Sequence, residues 1–295
     1  MIRKQTLQTR LVFISIVVVI FILAGCAVEK RTYWRDPKTA LALQYWMPEN
    51  QVLKYQTSAK QTQIIEVMGQ SVEVETEKTI EFSVKSKGLK ENNLQLEVTI
   101  DSMSIKITSP QGDLSPDMST VIGKSFDMTL SILGKEMDLS GADSIKYDLG
   151  PGGKRSISAD FQAIFPNLAG RPVKIGDTWT TKDTITEKSD NGEVRINLES
   201  VNTLEGFETV NGLECVKITA EVTGTLDGEG YEQGMDLTFK GEIKGTDTWY
   251  FAYMKGIFVK MITDVSTEGT ITTSGAQSMT IPMTQEMKIE VKLIK

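Results

Sequence analysis

The sequence predicts a mainly β protein: a long, strongly curved antiparallel meander, either a half-barrel or an open barrel, with one short helix. Three observations carry this expectation. From Leu41 onward, apolar residues recur at every second position; Asn-Gly and Asp-Gly turn chemistry punctuates the runs; and several runs are longer than an ordinary strand. Strands of about fifteen residues span roughly 50 Å and cannot stay flat, because the right-handed twist of each strand accumulates and coils the sheet.

Ile80, Phe82 and Val84 share one face, with Glu81, Ser83 and Lys85 on the other. Leu94, Leu96, Val98 and Ile100 repeat the pattern, but the next apolar set is Met103, Ile105 and Ile107, so the phase slips across Asp101-Ser102 as a β-bulge requires. The stretch 108–153 is rich in loop residues, with short strands expected at 126–132 and 136–139. Ser156–Phe165 places Ile157, Phe161, Ile164 and Phe165 at helical spacing, and Pro166 ends that helix. Alternation resumes at Val194, Ile196 and Leu198, then at Val216–Val222, Trp249–Tyr253, Ile257–Met261 and Met279–Leu293. Turns are expected at Asn92-Asn93, Asp190-Asn191-Gly192, Asn211-Gly212 and Asp227-Gly228.

The N-terminus has a different organisation. Arg3, Lys4 and Arg10 precede an apolar run from Leu11 to Ala24, which is short for a membrane span. The run ends in Leu23-Ala24-Gly25-Cys26, and these four residues resemble the bacterial lipoprotein box. That resemblance implies removal of residues 1–25 and lipidation of Cys26. A tether (26–40), an N-terminal β half (41–150) and a helix with a C-terminal β half (151–295) would follow, the two halves standing apart or forming one continuous domain. Ala27, rather than Asp, follows the cysteine, which implies the outer membrane, on its periplasmic side, if the host has two membranes.

Removing the leader takes away three positive charges and moves the formal net charge from −7 to −10. So acidic a body is a poor partner for nucleic acid or anionic lipid heads, and the membrane contact expected is the covalent anchor. With Cys26 acylated, Cys215 is the one thiol left, which excludes an intrachain disulfide. The chain has no histidine, so Ser-His-Asp and Cys-His catalysis and histidine metal sites are excluded. No nucleotide-binding or nucleophile-elbow motif is present, and the acidic turns lack the spacing of an EF-hand loop. The expectation is therefore a non-enzymatic protein without cofactor or metal.

Phe165-Pro166 followed by Val173-x-x-Gly176-Asp177-x-Trp179 resembles a signature of β-rich bacterial lipoproteins, a family that brings no established activity. Residue by residue, Gly176-Asp177 is a turn launching a strand at Trp179, and Phe165 seats an aromatic in the core. Met279, Met283 and Met287 share one strand face; flexible thioethers pack cores and also suit variable apolar ligands. The candidate groove residues are thus Phe161, Phe165, Trp179, Met279, Met283 and Met287. Two functions follow: a concave face that binds a lipid or other apolar ligand, or an adaptor whose polar surface or edge strands bind another envelope protein.

Overall fold

Among the described residues nine long strands organise the fold, joined by a region of short ones. The first three are β1 (Val52–Val67), β2 (Gln70–Lys90) and β3 (Asn93–Ser109). The short strands are β4 (Gly112–Leu114), β5 (Ser125–Ser131), β6 (Glu136–Asp138), β7 (Lys146–Asp148) and β8 (Lys154–Ser156). Six long ones follow: β9 (Thr178–Ser189), β10 (Gly192–Val210), β11 (Leu213–Glu232), β12 (Met235–Ala252), β13 (Ile257–Thr273) and β14 (Met279–Leu293). These come from a computed structural model that describes residues 40–67, 69–150, 153–232, 234–274 and 278–294. The expected signal segment and Cys26 lie outside the described residues.

All the strands belong to one antiparallel sheet, ordered β6-β5-β3-β2-β1-β14-β13-β12-β11-β10-β9-β8-β7, with β4 paired to β3 beside this path. The sheet is a curled half-barrel, as the long alternating runs predict. Elementary lengths require the curl. Thirteen strands laid flat would put β6 and β7 about 58 Å apart at roughly 4.8 Å per strand. Eight chain steps from Asp138 to Lys146 reach about 29 Å at most, so the edges must roll toward one another. The connection contains a short 3-10 turn, Ser140–Ser144, which bridges the seam. Gly141 lies close against Phe126 of β5, while the Ala142 and Ile145 carbonyls accept from Ser156 Oγ at 3.1 Å and Ile157 N at 3.0 Å.

Local sequence assists the curl. A Cβ at Gly245 would sit 2.3 Å from the Asp264 carbonyl oxygen on the next strand. Only glycine lets the backbones close up there. Asp101 is the extra residue of a bulge between β2 and β3, where the pairing steps from Glu81–Ser102 to Phe82–Ile100. Asn211 and Gly212 both take positive φ, 51° and 74°, as a type I′ hairpin turn demands. In the β2–β3 hairpin the turn pair is Glu91-Asn92, one residue earlier than expected, and Asn93 already begins β3; the turn expected at Asp227-Gly228 is corrected to strand, since both residues lie inside β11 and pair with β10 and β12.

The helix expected over 156–165 is corrected to one 3-10 turn, Ile157–Phe161, capped by the Ser156 hydroxyl. Tertiary pairing overrides the helical spacing. The Thr186 N–H of β9 donates to Gln162 Oε1 at 2.7 Å, and Gln162 Nε2 donates back to the Thr186 carbonyl at 3.2 Å. Residue 162 is therefore extended, and its side chain covers the edge of β9.

Packing is concentrated at one end of the half-barrel. Residues 41–47 run extended there, with Leu41, Leu43, Tyr45 and Met47 turned inward. This segment is tied down by paired hydrogen bonds between Leu41 and Val173 and by Tyr45 N donating to the Ile132 carbonyl. Tyr45, Tyr55, Phe82, Phe126, Phe161, Phe165, Phe251 and Phe258 form an aromatic cluster with centroid separations of 5.0–6.3 Å. Within the cluster the Tyr45 and Tyr55 hydroxyls donate to the carbonyls of Pro166 and Phe258.

Candidate functional site

Above the aromatic cluster, the concave face of the sheet and the segment 159–167 enclose a cavity of about 510 Å³. That is within the roughly 300–1,000 Å³ of small-molecule sites. Strand register fixes what lines it. The row next to the core reads Ile80, Thr57, Val291, Met261 and Trp249 across the sheet. The next row reads Lys78, Ala59, Ile289, Thr263, Asp247, Ala220 and Asn202. Farther out come Gln63, Gln285, Thr267 and Ile243, and then a row of Ile65, Met283, Gly269, Gly241, Leu226 and Ile196, of which Leu226 and Ile196 line the cavity. A polar belt thus lies between an apolar floor and an apolar outer row.

The belt carries charge. Lys78 pairs with Asp160, whose side chain is only 9% exposed, and Arg155 pairs with Glu187. Both oxygens of Asp183 accept from Asn167 Nδ2, at 2.8 and 3.0 Å. Asp247 faces Thr263, whose hydroxyl donates to it. Burial raises the pKa of both Asp183 and Asp247. Four buried polar atoms of the wall have no hydrogen-bond partner: Thr57 Oγ1, Arg155 Nε, Asp160 Oδ2 and Asp247 Oδ1. An unsatisfied buried group costs about 1–3 kcal/mol unless water or a bound molecule in the cavity supplies the partner.

Glu136 lies outside the cavity wall. Its carboxyl accepts from Phe165 N at 3.2 Å, and burial pushes its pKa up to about 8. Cys215 is fully buried in the core, and burial raises its thiol to about 11, so it is inert packing. Among the described residues no three His, Cys, Asp or Glu side chains gather to hold a metal ion.

The residues singled out from the sequence occupy different parts of this frame. Phe161 and Phe165 are in the aromatic cluster, and Phe165 also forms cavity floor. Trp179 packs edge-on against Trp249 at 6.1 Å and donates its indole N–H to the Asn167 carbonyl. It braces the wall through Trp249, which lines the cavity. Met279, Met283 and Met287 share the concave face; Met287 lines the cavity, and Met283 lies in the outer row, accepting from Gln63 Nε2. The charged belt was missed. Its signal in the sequence is a charged residue in phase with an apolar run: Lys78 before Ile80 and Phe82, and Asp247 before Trp249 and Phe251.

No family model and no curated protein matches the chain. Among solved structures, it is similar to the hypothetical lipoprotein YmcC from Escherichia coli, at 14% identity over 84% of this chain and 85% of that one, with a TM-score of 0.28. A putative exported protein with a YmcC-like fold from Bacteroides fragilis is 11% identical over 85% and 97%, TM-score 0.26. An outer membrane channel from Pseudomonas putida F1 is 9% identical over 85% and 97%, TM-score 0.27.

Proposed function

We propose that this chain is a lipid-anchored protein of the cell envelope, on the periplasmic side of the outer membrane in a two-membrane host, which binds a partly apolar molecule on its concave face without transforming it. The anchor rests on Leu23-Ala24-Gly25-Cys26 and the basic and apolar segments before it. The single observation behind binding is the cavity of about 510 Å³ between the aromatic floor and the outer apolar row. A sheet whose concavity served only as core would fill that volume with side chains, because interiors pack as densely as organic crystals. The adaptor reading finds less support. The sheet ends in β6 and β7, three residues each and joined across the seam, while the outer edge of β9, which β8 covers only at Ser189, is partly taken by the Gln162 side chain at Thr186.

Native mass spectrometry of the protein purified without denaturation tests the reading. A co-purifying small molecule, lost on organic extraction and restored by adding back the extract, is the expected result. A bare polypeptide mass together with no uptake of any apolar fluorescent probe would sink it.

A further inference from the structure

The cavity wall has a chemical preference. It carries four carboxylates, Asp160, Asp183, Glu187 and Asp247, against two cations, Lys78 and Arg155. Both cations are already tied, Lys78 to Asp160 and Arg155 to Glu187. That leaves Asp183, held by a neutral amide, and Asp247, held by one hydroxyl and with Oδ1 unpartnered. Of the four unpartnered wall atoms three can accept a hydrogen bond, and Arg155 Nε can only donate.

Space and surroundings single out Asp247. Its lateral neighbours across the ladders are Ala220 and Thr263, so two small residues flank the carboxylate. Along β12, Trp249 presents an aromatic ring to the same cavity. A carboxylate beside an aromatic ring in a cavity wall suits a cationic head, which gains a charge-assisted hydrogen bond and the ring quadrupole together. Outward along the wall, Ile243, Leu226 and Ile196 provide apolar surface for the rest of the molecule. An anionic head, such as a fatty acid carboxylate, would meet Asp183 and Asp247 as like charges.

We propose that the cavity takes an amphiphile with a positively charged, N–H-bearing head seated at Asp247 and an aliphatic part along the outer wall. The inference rests on the binding reading above and names the ligand class for that site. Dodecylamine, dodecanol and dodecanoate, each below its solubility limit or micelle concentration, are titrated against a neutral fluorescent probe bound to the full purified protein at neutral pH and low salt. The expected order is dodecylamine about tenfold or more tighter than dodecanol, the ratio a charge-assisted hydrogen bond confers, with dodecanoate weakest. Asp247→Asn, which keeps size and shape, should abolish the amine's advantage over dodecanol. Dodecanoate binding as tightly as dodecylamine overturns the assignment of the head while leaving the cavity as a binding site; so does an unaltered order in a folded Asp247→Asn protein. If that variant does not fold, the wild-type order decides alone. Failure of the probe and all three amphiphiles to bind rejects the binding reading itself.

Discussion

Replacing Phe161 by Ala tests the account of how the half-barrel is held shut. Phe161 is 1% exposed, at the end of the 3-10 turn, with its ring centroid 5.1 Å from Phe82 of β2 and 5.0 Å from Phe126 of β5. Truncating a buried Phe costs about 3–5 kcal/mol, the higher values where the surroundings cannot collapse into the space left. Collapse is resisted here. Phe82 and Phe126 sit on strands fixed by their ladders, and the turn is pinned by the Asp160–Lys78 pair and by Ile157 N donating to Ile145 O. With a urea dependence of about 3 kcal/mol per molar for a chain of this size, the unfolding midpoint should fall by about 1–2 M. Trp249, buried beside the cavity, is the fluorescence reporter. A shift below about 0.3 M at unchanged slope would refute the reasoning, because a residue so inexpensive to truncate cannot be wedged between those rings.

Three further outcomes are expected. Gly245→Ala should lower thermal stability by about 1–3 kcal/mol, as overpacking does, because the new Cβ would lie 2.3 Å from the Asp264 carbonyl oxygen; an unchanged melting temperature would mean that the strands are not so close. Glu136 remains protonated in the fold up to about 8, whereas its ordinary value is 4.5. The unfolded chain therefore binds fewer protons across that window, and stability should fall as pH rises from 4.5 toward 8; Glu136→Gln, measured by urea melts at several pH values, should flatten that decline, and an equally steep slope in the variant would contradict it. Finally, Cys26→Ser should keep its leader and lose acyl label in metabolically labelled cells, and normal palmitate incorporation would remove the anchor from the proposal.

The sheet was legible in the sequence because its signal is local. Period-two runs fix which residues turn inward, Asn211-Gly212 fixes a hairpin, and the slip at Asp101 fixes a bulge without knowledge of any partner strand. The segment 156–165 was misread for the opposite reason. Its apolar spacing suits a helix, but the Gln162 side chain pairs with the Thr186 backbone, a long-range contact that a local window cannot contain. The cavity was hidden for a related reason. Lys78 and Asp247 lie 169 positions apart in sequence and fall in one lateral row only after five strands are paired in register. The methionine face of β14 was readable, whereas the carboxylates that give the wall its preference appear in the sequence only as isolated interruptions of apolar runs.

The pairing of β1 with β14 has a consequence for how this chain assembles. Eleven residue pairs, from Tyr55–Leu293 to Ile65–Met283, join the first long strand to the last. Every other ladder between long strands is a hairpin between sequence neighbours. The meander β1–β3 and the meander β9–β14 can therefore each nucleate by short loop closure, while the step that unites them spans over two hundred residues and must wait for both. Until it occurs, β1 and β14 are bare edges, each able to recruit a foreign strand. Folding should thus show a fast phase, in which hairpins form, and a slower one sensitive to substitutions along Tyr55–Ile65, with association between copies competing during the interval.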